Sequence, residues 1–255
     1  MNPRTQITTV ADLLFVADDA FLIALPFEPE PAPGQFVMLS FSDGRTDPFL
    51  PRPLSVFDWD KKMLTLLVRV SGRGTLFMGR LAPGALLRVT GPLGSIFPDS
   101  AGRVFFVGGG IGIAPLYYAA KRSGAREKRF IIGFPSAARS YLTEEYAHVA
   151  PLDLVSDDGS LGEKMLPHEK LEALVAAGEM PDLVISCGPE KMMAAVHGVA
   201  KRYDIRDVVS LEARMGCGIG ACLGCRIDLP GGSVLVCRDG AVFEGSVFDR
   251  STDGG

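Results

Sequence analysis

Cys217, Cys222, Cys225 and Cys237 stand close together near the C-terminal end of the chain, the first three within Cys217-Gly-Ile-Gly-Ala-Cys222-Leu-Gly-Cys225. This is a C-x4-C-x2-C...C spacing, which suits the four thiolates of a 2Fe-2S cluster. A loop can wrap an inorganic core only where side chains do not block close backbone approach, and Gly218, Gly220, Ala221 and Gly224 meet that need. A structural zinc site also takes four cysteines. Its ligands usually arrive as two short knuckles, however, and here only Cys222 and Cys225 form one. The fifth cysteine, Cys187, lies well before the run and is set apart from it. A chain built around such a loop is expected to carry electrons one at a time.

The 255 residues leave room for two medium domains and a small appendage, and 47% of them are hydrophobic. A formal net charge of only -4 gives no electrostatic case for binding nucleic acid. The start, Met1-Asn-Pro-Arg-Thr-Gln, lacks the basic and apolar regions of a signal peptide, and no apolar run reaches the length of a membrane span. The expectation is a cytoplasmic protein with no membrane association, in a compartment where thiolates persist better than disulfides.

Three grammars follow one another along the chain. Residues 1-100 carry short apolar runs broken by Pro, Gly and Asp: Leu13-Val16, Phe21-Leu25, Gln35-Phe41, Met63-Val70 and Leu86-Val89. Several alternate with period two, which predicts an antiparallel barrel. Residues 101-208 switch to buried strands, Arg103-Val107, Phe130-Ile132, Leu152-Val155 and Leu183-Ile185, with helical stretches such as Ala114-Ala120, Glu169-Ala177 and Lys191-Lys201 between some of them. That alternation predicts a Rossmann-like parallel sheet with crossover helices. Residues 209-255 hold the cysteine loop and an expected hairpin, Arg226-Leu229 with Val234-Cys237 across a Pro230-Ser233 turn. The fold class is therefore α+β and α/β, multidomain.

Two motifs carry chemistry. Gly108, Gly109, Gly110 and Gly112 follow a strand and open a helix, where free N-H groups and the helix dipole attract a pyrophosphate. Tight turns also use glycine for steric reasons alone. In open parallel sheets ligands bind outside the carboxyl ends of the strands, and those ends carry Asp157 and Asp158 after one strand and Cys187, Gly188 and Pro189 after another. In the barrel half the tetrad Arg52-Pro53-Leu54-Ser55 sets a guanidinium able to grip phosphate beside a rigid backbone and a hydroxyl. Leu67, Val68 and Arg69, then Gly74 and Thr75, would add contacts.

These motifs, with Pro33-Gly-Gln-Phe36, Gly91-Pro-Leu-Gly94, Asp157-Asp-Gly-Ser-Leu-Gly162, Ser210-Leu-Glu-Ala-Arg-Met215 and Val236-Cys-Arg-Asp-Gly240, occur in an order that resembles the ferredoxin-reductase superfamily. Within it the chain is similar to the electron-transfer subunits of class 1B dihydroorotate dehydrogenases. The resemblance implies an FAD between barrel and nucleotide domain, held by Arg52, Pro53, Leu54, Ser55, Leu67, Val68, Arg69, Gly74 and Thr75. It implies NAD in the crevice and a 2Fe-2S cluster on the four cysteines. The partner it implies is an FMN-containing dihydroorotate dehydrogenase catalytic subunit, two copies of each chain forming a heterotetramer. A hydride brings two electrons and the cluster takes one, so a flavin must stand between them.

Val68 stands where such proteins often have Tyr, and Met165 where a glycine is usual. The cysteine loop also resembles flavin subunits of NADH-dependent ferredoxin:NADP oxidoreductases and sulfide dehydrogenases, which typically lack a cysteine at the position of Cys217. Ser136 and Arg139 are candidates to meet a 2'-phosphate or to be merely solvated, while the resemblance favours NAD. His148, His168 and His197 share no metal spacing and are read as surface or packing residues. Glu212 is left open between a flavin contact and loop ordering.

Overall fold

The computed structural model describes residues 3-44, 47-229 and 232-249. Its first seven strands are β1 (Arg4–Thr9), β2 (Asp12–Ala17), β3 (Ala20–Pro26), β4 (Phe36–Phe41), β5 (Arg52–Asp60), β6 (Met63–Arg69) and β7 (Leu86–Leu93), with helix α1 (Arg73–Met78) between the last two. They pair antiparallel in the order β1-β7-β4-β5-β6-β3-β2. The sheet curls on itself, since Gln6 and Thr8 of β1 donate to the carbonyl of Pro26 at the end of β3. Phe21, Ile23, Leu25, Val37, Leu39, Leu64, Leu66 and Val68 point inward and are buried, as the period-two pattern demands. Leu67 breaks that pattern by being buried on the outer face, against the second half of the molecule.

The second half runs β8 (Arg103–Gly109), a 3-10 turn (Gly110–Ile113), α2 (Ala114–Arg122), β9 (Glu127–Phe134), α3 (Thr143–Val149), β10 (Leu152–Ser156), β11 (Glu163–Lys164), α4 (Pro167–Ala176), β12 (Leu183–Cys187), α5 (Glu190–Arg202) and β13 (Arg206–Ser210). The strands through β13 are parallel, in the order β11-β10-β9-β8-β12-β13. Both faces are covered. Val104 and Phe106 of β8 pack with residues of α2 and α3, whereas Phe105 and Val107 pack with residues of α4 and α5. That two-sided burial is why β8 reads as a continuous apolar run.

Helix α2 joins the halves. Tyr117 stacks on Phe57 of β5 at 4.5 Å, Lys121 pairs with Asp58 at 2.6 Å and Arg122 with Glu30 at 2.8 Å. Tyr118 reaches into the barrel core and donates to the Pro31 carbonyl at 2.9 Å, and burial pushes its phenol up to about 12.

The chain then forms the cysteine loop, a hairpin of β14 (Arg226–Leu229) and β15 (Gly232–Leu235), a helical turn α6 (Val236–Asp239) and β16 (Val242–Glu244). The second hairpin strand ends two residues earlier than its apolar pattern suggests. The Asp239 carboxylate accepts the Leu235 N-H at 2.8 Å, which turns Val236–Asp239 into a helix and takes Cys237 out of the strand. Pro230 and Gly231, part of the expected hairpin turn, lie outside the described residues. β16 returns antiparallel onto β13, and Phe36, Met38 and Leu93 of the barrel pack against Cys225, Leu235, Val236 and Cys237. The cysteine segment is thereby anchored to both halves.

Candidate functional site: two crevices and a thiolate loop

The first crevice, about 220 Å³, opens between the barrel and the 3-10 turn. Arg52, Pro53, Leu54 and Ser55 of β5, Leu67 and Arg69 of β6 and Thr75 of α1 line one side; Ile111, Ala114 and Pro115 line another. Ser210, Leu211, Glu212, Ala213 and Met215, which lead into the cysteine loop, complete it. Three regions of the chain therefore meet at one cavity. Val68 turns its side chain into the barrel core, so only its main chain is left for a ligand.

Arg52 is held for a purpose. Its guanidinium donates to the Leu50 carbonyl and lies 5.8 Å from the centre of the Phe41 ring, and burial draws it below its usual value against the opposing field of Asp47. It crosses the start of α1 at Gly74, where a Cβ would fall 2.0 Å from Nε. Thr75 Oγ1 accepts the N-H groups of Ser71 at 2.9 Å and Gly72 at 3.2 Å, fixing the loop that leads into the helix.

The second crevice lies at the carboxyl edge of the parallel sheet. Gly112 packs backbone to backbone against Gly188, and a Cβ on Gly112 would sit 2.5 Å from the Gly188 Cα and N. The two strand-to-helix turns thus touch with no side chain between them. On one side a lobe of about 380 Å³ is lined by Gly109, Gly110, Arg139, Tyr141, Asp157, His168 and Lys191. On the other a lobe of about 580 Å³ is lined by Gly110, Gly188, Pro189, Glu190, Met193, Glu212, Asp228, Val247 and Phe248. Arg69 borders all three cavities.

Cys187 sits buried beneath Gly188. Burial raises its thiol well above the usual value, Glu212 adds to the rise and the Ser210 hydroxyl opposes it. Gly108 is buried below the turn. Asp157 faces the first lobe, but Asp158 is turned away to accept from the Ser160 N-H at 2.9 Å and hydroxyl at 2.6 Å, which hold its carboxyl below the usual range. The same Ser160 Oγ accepts the Ala137 N-H at 2.8 Å and ties the loops after β9 and β10 together.

The four thiols of the loop fall into two pairs. Cys225 and Cys237 have their sulfurs 3.2 Å apart, while Cys217 Sγ accepts the Cys222 N-H at 3.4 Å and the Ile219 N-H at 3.5 Å. Cys237 Sγ accepts from the Gly220 N-H at 3.1 Å. Burial raises the Cys217 thiol, but these N-H donors and the Cys222 side chain outweigh it and bring it down to about 7. Cys237 is pushed up to about 12 by burial and by its contact with Cys225. Among the described residues no three His, Cys, Asp or Glu side chains converge on one ion position. Two pairs of thiols fit a binuclear cluster, with two ligands for each iron, better than a single tetrahedral zinc.

Several lining residues escape sequence reasoning. Ser71 and Tyr141 stand in no motif that marks them, and His168 and Lys191 reach the first lobe only because α4 and α5 start beside it. Glu212 lines both the barrel crevice and the second lobe. His197 is a packing residue, buried and bonded to two carboxylates that lie 10 and 52 positions away.

Comparison with known proteins agrees with this architecture. Residues 212-249 match the model of the iron-sulfur cluster binding domain of dihydroorotate dehydrogenase B. The chain is 39% identical over 219 residues to the dihydroorotate dehydrogenase B (NAD(+)) electron transfer subunit of Caldanaerobacter subterraneus, covering 84% of this chain and 85% of that one. It is 34% identical over 248 residues to the subunit of the same name from Clostridium acetobutylicum, covering 96% and 98%. Among solved structures, a chain of an NADH-dependent reduced ferredoxin-NADP oxidoreductase superposes with a TM-score of 0.84 at 27% identity, over 94% of this chain and 88% of that one. A ferredoxin NADP+ reductase from Neisseria gonorrhoeae shares the fold with a TM-score of 0.65 at 14% identity, over 78% and 91%. By sequence along nearly its whole length, and by a fold that brings barrel, nucleotide sheet and thiolate loop to one cavity, the chain belongs to the family of dihydroorotate dehydrogenase B (NAD(+)) electron transfer subunits.

Proposed function

We propose that this chain passes electrons from the FMN of a dihydroorotate dehydrogenase catalytic subunit through a 2Fe-2S cluster and FAD to NAD+, in pyrimidine biosynthesis. The observation that carries this reading is the shared cavity: barrel, nucleotide turn and the run into the cysteine loop all wall the same crevice. In this reading residues 1-100 hold FAD, 101-208 bind NAD and 209-255 hold the cluster. When bound, FAD supplies the conversion between the two electrons of a hydride and the single electrons of the cluster.

The chain's own residues do the rest. Arg52 presents a partly desolvated cation to the FAD diphosphate, with Thr75 fixing the loop beside it, while Pro53, Leu54, Leu67 and Ser55 shape the space for the ring. Gly109, Gly110 and Gly112 leave N-H groups open to the NAD diphosphate, and Gly188 and Pro189 close the other side. Asp157, beside Arg139 in the first lobe, suits the ribose hydroxyls of NAD. The N-H donors on Cys217 favour its thiolate form, the form in which cysteine ligates a metal.

The catalytic partner would cover the loop. Ile219 and Leu223 project from it at 54% and 61% exposure, and Leu50, 54% exposed, brings Cδ2 near Gly216, with the exposed Phe49 preceding it in the chain. Such an apolar patch around a redox centre fits a protein surface that must exclude water and come close. Association as two copies of each chain, in the cytoplasm, belongs to the same proposal. Among the described residues no helix is long and apolar enough to cross a membrane. A second reading, a flavin and cluster subunit of a ferredoxin- or sulfide-linked NAD(P) oxidoreductase, draws on the 0.84 TM-score likeness.

Co-expression with the chain's genomic neighbours, purification through a tag on this subunit and an anaerobic assay of dihydroorotate-dependent NAD+ reduction test the proposal. Activity with a flavin and 2Fe-2S absorption spectrum is expected. The same cofactors with a different large partner and no dihydroorotate activity would transfer the assignment to the second reading.

A further inference from the structure

His197 lies on α5, facing the sheet, and its ring is almost wholly buried. Nδ1 is 3.0 and 3.2 Å from the two carboxylate oxygens of Asp207 on β13, itself buried, and Nε2 is 3.2 Å from Asp249 Oδ1. Asp249 follows the 3-10 turn Gly245–Phe248 after β16, and Lys201, one turn along α5, grips the same oxygen at 2.6 Å. Gly245 rides directly over Asp207, so that a Cβ there would fall 1.9 Å from Oδ2. At the edge of the group Arg206 of β13 pairs with Glu244 of β16 at 2.6 Å. The last described residues of the chain are therefore fastened onto the nucleotide domain by a carboxylate-imidazole-carboxylate chain whose imidazole and inner carboxylate are buried.

Between the fastening points lie Val247 and Phe248. Both line the second lobe of the nucleotide crevice, opposite Gly188, Pro189 and Met193. Phe248 also packs beside the imidazole, with ring centres 6.5 Å apart. Loosening of the fastening would move a wall of the crevice.

We propose that His197 is a positioning residue for nucleotide binding: it clamps the segment Gly245–Asp249 onto α5 and β13 and so sets the wall that Val247 and Phe248 present to the bound dinucleotide. The inference rests on the reading of this crevice as the NAD site. A carboxylate only accepts, so both ring nitrogens are satisfied by the two aspartates when both carry a proton. The groups that face the imidazole are Asp207, Asp249, Lys201 and, more distantly, Glu244 with Arg206.

The test uses the purified complex of wild type, His197→Gln and Asp249→Asn, with NAD+ affinity measured by calorimetry and steady-state NADH oxidation measured with an artificial acceptor. Asp249 is partly exposed, so its amide variant is expected to fold even if the His197 change does not. Removing a hydrogen bond to a charged group should weaken NAD+ binding and raise KM for NADH by about fivefold in either variant, with kcat and the visible spectrum unchanged. Wild-type NAD+ affinity and wild-type KM for NADH in Asp249→Asn would overturn the inference. A wild type that neither binds NAD+ nor oxidises NADH would instead overturn the reading of the crevice.

Discussion

The barrel crevice and the sheet-edge crevice are each suited to a diphosphate between two layers of protein, yet they are built from different parts. In the barrel a side chain does the gripping, and glycine serves to let it pass: Arg52 lies across α1 at Gly74. At the sheet edge main chain meets main chain, Gly112 on Gly188, with nothing flexible between them. The contrast teaches where tolerance lies. A flexible guanidinium can move aside at small cost to the fold, whereas two packed backbone turns cannot separate without dragging α2 and α5 with them.

Gly112→Ala should therefore give the largest effect. Its methyl would sit 2.5 Å from Gly188 backbone atoms, so the turn after β12 must shift. The expected result is a loss of about 1–3 kcal/mol in unfolding free energy together with a loss of measurable NAD+ binding. Thermal unfolding and calorimetry check it, and an unchanged melting temperature would dissolve the contrast.

Gly74→Ala should separate ligand from fold. The added methyl meets only the far end of Arg52, 2.0 Å from Nε, and alanine favours the helix it enters. The melting temperature of the flavin-free chain should change little while the amount of flavin carried per chain falls severalfold. Arg52→Ala should lower flavin content as well, and the double variant should be no worse than the single ones, because both act on one guanidinium. Destabilisation matching that of Gly112→Ala would show that the barrel site is as rigid as the sheet edge.

The same division decides what could be read from the sequence. The turn at Gly108 to Gly112 was legible because strand, turn and helix are contiguous, and the thiolate loop because its ligand spacing is local. The tetrad Arg52 to Ser55 was legible as a motif, but its dependence on the space at Gly74 joins positions that only the pairing of β5 with β6 brings together. Leu67 is among the residues expected to hold flavin, and it lines the barrel crevice, but its burial on the outer face of β6 comes from packing against the second half of the molecule, which no period within the strand announces. Cys237 looked like strand and sits in a helical turn because the Asp239 carboxylate caps it. The partners of His197 come from β13 and from beyond β16, and no period within α5 could announce them.

The smallest predicted effect falls on the loop that carries Gly74 itself. Thr75 Oγ1 accepts from Ser71 and Gly72 and donates to the Gly72 carbonyl at 3.1 Å, so a hydroxyl rather than a backbone contact shapes the entry to α1. Thr75→Val keeps the shape and removes the acceptor, leaving two N-H groups to water; because the site is exposed, the cost should be about 1 kcal/mol, as for other helix-start bonds. Flavin should dissociate faster, in proportion, while NAD+ affinity stays at the wild-type value. Thr75→Ser restores the oxygen and should recover most of the loss in flavin retention. If serine behaves like valine, the methyl group rather than the hydroxyl holds the loop, and the barrel crevice is packed more like the sheet edge than its hydrogen bonds indicate.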